Sequence, residues 1–228
     1  MLIAGLQKTS FVDFPGQPAA VVFTPYCNFN CTYCHNVHIL GAETELIPEE
    51  FVFTYLEKRR GLLQALVISG GEPTLQQNLD AFIRQARSMS YSIKLDTNGS
   101  KPEVLKSLLH DGLLDYVAMD IKAPLEKYED ITGVKAEPDV IRKSISILRN
   151  SGVKHEFRLT YAPQLSISDV VCAAQLVKGC NRFYLQQYRP RNAEDPRPHA
   201  PSVVQETAER VRQAIGTCTI RGMGIEQP

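Results

Sequence analysis

Short apolar runs alternate with amphipathic stretches along most of this chain, and the two kinds differ in period. Ala19-Ala20-Val21-Val22-Phe23-Thr24 and Ala65-Leu66-Val67-Ile68-Ser69 are continuous apolar runs of strand length, as expected of strands covered on both faces. Tyr91 to Leu95, Tyr116 to Met119, Phe157 to Tyr161 and Phe183 to Gln187 read as further strands. Between them apolar residues recur at helical spacing. Pro48 opens the first helix, with Phe51, Val52, Tyr55, Leu56, Leu62 and Leu63 spaced to form one face. Helices are also predicted over about 78–89, from Pro102 to roughly His110, through Val140, Ile141, Ile145 and Leu148 to Asn150-Ser151-Gly152, over about 168–178, and from Val203 to Ile215. Thr219-Ile220 is a candidate terminal strand.

Strands and helices that alternate with short connections imply an α/β fold with a parallel sheet and right-handed crossovers. Counting from Val21 gives about six such units, fewer than the eight of a closed barrel. Ahead of them, two apolar stretches around the turn formers Pro15-Gly16 predict a short N-terminal β extension. At 228 residues the chain suits a single domain, with the extension over 1–18, the core over 19–190 and a C-terminal loop and helix over 191–228. The segment from Arg189 to Pro201, with four prolines and no large apolar residue, is the one stretch that reads as a linker.

Composition narrows the function by exclusion. Lys plus Arg and Asp plus Glu are equal at 25 each, so no net basic field supports nonspecific nucleic-acid binding. No run approaches the ~18 apolar residues of a membrane span, and Met1 to Phe11 does not read as a secretory signal. Cys172, Cys180 and Cys218 are scattered and form no disulfide framework. A cytoplasmic location is the expectation, because the other three cysteines need reducing surroundings.

Those three lie in Cys27-Asn-Phe-Asn-Cys31-Thr-Tyr-Cys34, at Cys-x3-Cys-x2-Cys spacing. The loop is short enough to place three thiolates on one metal centre. A cubane iron–sulfur cluster is normally held by four cysteines, so three leave one iron free to bind a reactant. A structural zinc site needs a fourth protein ligand; His35 is at hand, but it follows Cys34 directly and must bend back onto the same ion. Unrelated buried thiols are the third reading.

The loop, with the aromatic Tyr33 before its last cysteine, resembles the signature of the radical S-adenosylmethionine superfamily. The following His35-Asn36, and Val12-Asp13-Phe14-Pro15-Gly16 upstream, resemble a narrower group, the activating enzymes for glycyl radical enzymes. The opening from Lys8 to Gly16, Ala118-Met119-Asp120-Ile121-Lys122-Ala123-Pro124 and Gln186-Gln187-Tyr188-Arg189-Pro190 are most similar to anaerobic ribonucleoside-triphosphate reductase activating proteins. Formate-lyase-type activators commonly follow Pro-Gly with a hydrophobic–Arg pair, whereas Gln17-Pro18 stand here. The resemblance implies a partial (β/α)6 barrel of parallel strands, open along one side. It implies a [4Fe-4S] cluster on Cys27, Cys31 and Cys34, with S-adenosyl-L-methionine bound to the open iron through its amino and carboxylate groups. One electron from the cluster then cleaves the sulfonium to a 5′-deoxyadenosyl radical, which abstracts a hydrogen from a backbone glycine of a partner enzyme. The partner indicated is anaerobic ribonucleotide reductase, and the electron donor a flavodoxin- or ferredoxin-type protein. No cysteine lies between Cys34 and Cys172, which excludes an inserted ferredoxin-like domain there.

In parallel β/α folds ligands bind outside the carboxyl ends of the strands, and every predicted strand of the core ends in polar residues. After the cysteines come Ser69-Gly70-Gly71-Glu72-Pro73, Asp96-Thr97-Asn98-Gly99, Asp120-Ile121-Lys122, Arg158 with Thr160, and Gln186-Gln187. Gly70-Gly71-Glu72 resembles the family segment that holds the cofactor's amino group: glycines let backbone carbonyls approach an ammonium, and Glu72 adds negative charge. Asp96, Thr97 and Asn98 are candidates for the ribose hydroxyls. Asp120 and Lys122 lie two apart on a strand and share a face; by resemblance Lys122 meets the cofactor's carboxylate with Asp120 beside it. Arg158 is an alternative carboxylate partner or a surface ion pair. Tyr33 is expected beside adenine. Two rival functions stand against this reading: a radical enzyme acting on a small molecule, similar to 7-carboxy-7-deazaguanine synthase, and a non-catalytic zinc-binding interaction module.

Overall fold

The computed structural model describes residues 1–41, 43–135 and 137–223; the last five residues of the expected C-terminal segment lie outside them. Among the described residues eight strands form one sheet in chain order: β1 (Gly5–Ser10), β2 (Ala19–Thr24), β3 (Ala65–Gly70), β4 (Ser92–Thr97), β5 (Tyr116–Asp120), β6 (Lys154–Tyr161), β7 (Phe183–Gln187) and β8 (Thr219–Arg221). β1 runs antiparallel to β2, and every later pair is parallel. The crossovers carry α1 (Glu49–Lys58), α2 (Leu79–Ser88), α3 (Pro102–His110), the short α4 (Tyr128–Thr132) with α5 (Pro138–Asn150), α6 (Ile167–Gln175) and α7 (Pro201–Ile215). These are the six β/α units read from the alternation, followed by a further parallel strand. Among the described residues the sheet runs from β1 to β8 without a pairing between them, so no closed barrel is formed.

Burial explains why the core strands read as continuous apolar runs. On β3, Leu66 and Ile68 face the helices in the main core, while Ala65 and Val67 face inward in a second cluster with Phe14, Ala19, Val21 and Tyr116. Phe14 comes from the loop after β1 and packs against Tyr116 across the sheet, ring centroids 6.0 Å apart. The inner face is therefore apolar near the start of the strands. Toward their carboxyl ends it becomes polar, and there the cavity described below opens.

Three local expectations change. α1 stops at Lys58, because Arg59 to Gln64 form a turn with Gly61 at φ +80°. Leu63 is still buried, but Phe51 and Leu62 are 51% and 65% exposed and do not belong to the apolar face. β4 begins one residue after Tyr91, whose hydroxyl donates to the Leu56 carbonyl at 2.7 Å, and continues through Asp96 and Thr97. β6 begins at Lys154, ahead of its apolar run; Glu156 on it is buried, accepting from Tyr116 Oη at 2.8 Å and Arg221 Nη1 at 2.7 Å. Among the described residues no helix is long and apolar enough to cross a membrane.

Candidate active site

The cysteine loop follows β2 directly, and its position is set by a segment that carries no obvious sequence signal. Asn30 N–H donates to the Thr132 carbonyl at 2.7 Å and Thr32 N–H to Ile131 at 3.2 Å, so α4 forms a shelf beneath the loop. Phe29 meets Tyr128 edge-on at 6.3 Å. The helix must end there: Gly133 has φ +67°, and a Cβ on it would lie 2.8 Å from the Asn30 carbonyl oxygen. Residues 128–132 are too few to show a helical period, which is why α4 was not predicted.

All three cysteines line a cavity of about 480 Å³, together with Tyr33, Gly70, Gly71, Asp96, Thr97, Asn98, Asp120, Lys122 and Arg158. Twelve of the thirteen residues singled out from sequence thus reach one cavity; Glu72 does not. Its carboxylate is fully buried and turned back into the protein. There it accepts from Thr74 N at 3.1 Å, Thr74 Oγ1 at 2.5 Å, Thr97 Oγ1 at 2.8 Å and Asn98 N at 2.7 Å. Burial pushes its pKa up, against the pull of these donors. Glu72 ties the loop after β3 to the loop after β4 and offers no charge to the cavity.

The two glycines before it have a steric role. A Cβ on Gly71 would lie 1.8 Å from the Tyr26 carbonyl oxygen, and one on Gly70, at φ +110°, 2.4 Å from Thr24 N. The chain entering the cysteine loop therefore lies directly on these residues. The Gly70 carbonyl also accepts from Asn36 Nδ2 at 2.7 Å, which anchors the far side of the loop.

On the opposite wall Arg158 stands between two carboxylates. Its Nε donates to Asp120 Oδ1 at 2.8 Å and its Nη1 to Asp96 Oδ2 at 3.2 Å. Asp96 also accepts from Lys94 Nζ at 2.5 Å and Ser69 Oγ at 3.2 Å, and Asp120 from Lys122 Nζ at 3.1 Å. Burial raises the pKa of Asp120, but Arg158 and Lys122 outweigh it and bring the value down to about 2. Asp96 is lowered in the same way by Arg158 and Lys94. Burial works against the Lys122 ammonium, yet Asp120 holds its pKa well above the ordinary lysine value. Arg158 is 13% exposed at its side chain, so the surface ion pair considered from sequence does not apply.

Lys122 Nζ lies 5.8 Å from the centroid of the Tyr33 ring. The Tyr33 hydroxyl is buried and, among the described residues, has no hydrogen-bond partner. Burial also raises Cys27, to about 11, and Cys31, so as free thiols both are protonated, and a metal centre must displace those protons. Thr97 and Asn98 stand at the cavity with their polar atoms engaged. Thr97 Oγ1 donates to Glu72 and accepts from Gly99 N at 3.1 Å, and the Asn98 carboxamide bonds Ser100 N at 2.9 Å and Asn28 Oδ1 at 3.0 Å. Sequence reasoning assigned no role to Asp13, which lines the cavity from the loop after β1. The signal was its place beside Phe14, whose burial carries that loop across the inner face.

The donor set fits an iron–sulfur cluster. Three thiols face one cavity, and Asn98 Nδ2 lies 3.8 Å from Cys27 Sγ. His35 lines the same cavity and packs its ring toward Tyr188, centroids 6.4 Å apart.

Comparison with known proteins agrees. The model of the radical SAM superfamily matches residues 21–177. The "Putative glycyl-radical enzyme activating enzyme" of Methanocaldococcus jannaschii is 35% identical over 207 residues, 85% of this chain and 82% of that protein. A 7-carboxy-7-deazaguanine synthase of Thermococcus kodakarensis is 31% identical over 188 residues, 72% of each chain. Among solved structures, Streptococcus suis SuiB bound to S-adenosylmethionine superposes with a TM-score of 0.70 at 14% identity, covering 88% of this chain and 49% of that one, a likeness of fold. With a family match over well more than half of its residues, the chain belongs to the radical SAM superfamily and is an enzyme of that family.

Proposed function

We propose that this enzyme activates a glycyl radical enzyme, removing a hydrogen atom from a backbone glycine of that partner. The observation that carries the reading is the convergence of Cys27, Cys31 and Cys34 on one cavity, beside an ammonium and two carboxylates. The relative in Methanocaldococcus jannaschii supports the activating role by its extent of similarity. Cys27, Cys31 and Cys34 would hold a [4Fe-4S] cluster, and the wall from Gly70 to Arg158 would hold S-adenosylmethionine. When bound, the two supply one-electron cleavage of a sulfonium and the hydrogen abstraction that follows.

The residues divide the binding work by what they still have free. Among the described residues Lys122 Nζ donates one hydrogen bond, to Asp120, and keeps two N–H groups for the cofactor's carboxylate. Arg158 holds Asp96 and Asp120 in place, which orients Lys122 through Asp120. Because Glu72 is engaged elsewhere, contact with the amino group falls to the backbone at Gly70 and Gly71. Tyr33 lines the same space, and Asp96 would accept from the ribose hydroxyls.

Cavity size bears on the substrate. At about 480 Å³ the space lies in the lower part of the range for one small ligand, and it must take both cluster and cofactor. A substrate that reaches in through the open side as a polypeptide loop suits such a cavity. A small-molecule reaction is the second reading, favoured by the likeness to the Thermococcus kodakarensis synthase. The partner proposed is an anaerobic ribonucleotide reductase, with a flavodoxin- or ferredoxin-type donor supplying electrons.

The test is anaerobic reconstitution, then assay of 5′-deoxyadenosine and of protein-radical resonance with and without candidate partners. A brown protein with about four irons, cleavage that depends on Cys31, and a glycyl radical only when partner is present are expected. A colourless protein carrying one zinc, or turnover of a pterin-like metabolite with no partner, would overturn the proposal.

A further inference from the structure

Cys27 differs from its two companions in what surrounds its sulfur. Phe29 N–H lies 3.4 Å from Cys27 Sγ and the Asn98 carboxamide Nδ2 lies 3.8 Å away. Among the described residues no side chain donates to the sulfur of Cys31 or Cys34. The Asn98 amide is oriented by its partners: Oδ1 accepts from Ser100 N at 2.9 Å, and Nδ2 gives one N–H to Asn28 Oδ1 at 3.0 Å. The second N–H of Nδ2 is then directed at Cys27. Asn28 is itself held by Ser100, its Nδ2 donating to Ser100 Oγ at 2.9 Å. Behind the side chain, Asn98 N–H bonds the buried Glu72 carboxylate at 2.7 Å. A rigid connection thus runs from a carboxylate in the core to one sulfur of the cysteine loop.

We propose that Asn98 is a positioning residue that donates an N–H to the Cys27 thiolate and thereby raises the reduction potential of the cluster, rather than meeting the cofactor's ribose. The inference rests on the cluster reading above. The physical basis is the extra negative charge of the reduced cluster, which spreads onto its sulfurs. A fixed N–H dipole aimed at one of them stabilises the reduced form more than the oxidised form. Both N–H groups of the Asn98 amide are engaged within the protein, so donating to a ribose hydroxyl would break bonds that hold the loop.

The experiment is a potentiometric titration of the reconstituted full chain, followed by electron paramagnetic resonance of the reduced cluster without S-adenosylmethionine. Asn98→Leu is close in size and removes the donor. Its potential should fall below that of the wild type at equal iron and sulfide content. Ser100→Ala loosens Asn28 but leaves the donor, and should titrate near the wild type. A variant Asn98→Leu that titrates with the wild type overturns the proposal. Should Asn98→Leu take up less iron, Asn98→Ser, too short to reach Cys27, must show the same negative shift, and its absence is equally fatal. A wild-type chain that assembles no redox-active cluster sinks the cluster reading itself, an outcome distinct from unchanged potentials.

Discussion

Arg158 and Asp120 stand opposite each other on neighbouring parallel strands, and Arg158 Nε donates to Asp120 Oδ1 at 2.8 Å while its Nη1 reaches Asp96 on the next strand. One planar guanidinium thereby joins three strands at the carboxyl edge of the sheet. Removing it leaves each carboxylate with one lysine in place of two cations and loses a charge-assisted hydrogen bond, which typically costs about 1.5–3 kcal/mol. Arg158→Ala should lower the urea midpoint accordingly. Arg158→Lys, a point charge that cannot serve both carboxylates at once, should recover only part of the loss. A midpoint for Arg158→Ala within experimental error of the wild type would show that the network contributes nothing.

The same network predicts an acid transition. The folded pKa of Asp120 is about 2 against an ordinary 3.8, so the folded state favours the ionised form. A depressed carboxylate contributes stability in full above its unfolded pKa and loses it as pH falls through the folded value. Each pKa unit corresponds to about 1.4 kcal/mol, which puts the contribution of Asp120 at roughly 2 kcal/mol near neutrality. Unfolding free energy measured by denaturant should therefore drop between about pH 4 and pH 2, and the drop should be shallower in Asp120→Asn. Equal slopes in the two proteins would assign the acid sensitivity to other groups.

How much of this was legible beforehand follows from what each residue faces. The strands were readable because Ala65 to Ile68 are buried on both sides, and such a run has few alternatives. The cysteine loop and the polar strand ends were readable because each sits where a parallel strand delivers it. The direction of Glu72 is not legible, because the sequence shows a carboxylate beside two glycines but not which way it turns; only the positions of Thr74, Thr97 and Asn98 decide that. α4 escaped notice because it is a single turn held by contacts with Asn30 and Thr32, not by its own pattern. Glu156 escaped because its partners, Tyr116 and Arg221, lie 40 and 65 residues away.

Glu72 offers a sharper mutational contrast than its motif suggests. Four donors point at its two oxygens, and Asn98 N–H alone occupies Oε2. Glu72→Gln keeps the shape but must turn an NH2 group toward at least one of those donors, leaving buried polar groups unpaired at about 1–3 kcal/mol. Stability should fall by that amount in the apo protein, without cofactor. A ligand-binding glutamate facing the cavity would behave differently: its replacement would weaken S-adenosylmethionine binding and leave apo stability unchanged. Denaturation of the apo protein, set beside a binding titration of the loaded one, separates the two.

Gly71 and Gly112 supply a final comparison, since each is a glycine in a connection yet they meet different surroundings. A Cβ at Gly71 would sit 1.8 Å from the backbone oxygen of Tyr26, one residue before Cys27, whereas one at Gly112, at φ +65°, meets nothing within 4 Å. Gly112→Ala should cost only the strain of a left-handed alanine, about 1 kcal/mol. Gly71→Ala has no flexible side chain to displace, so the backbone entering the cysteine loop has to move. The loop is held on its other sides by Ile131, Thr132 and Asn36, and it cannot shift as a unit without breaking those bonds. Gly71→Ala is therefore expected either to fall by several kcal/mol or to fold with cysteines displaced and iron uptake well below that of Gly112→Ala. Iron content and thermal midpoint measured side by side decide it, and two variants alike in both would mean that the contact between Gly71 and Tyr26 does not set the loop.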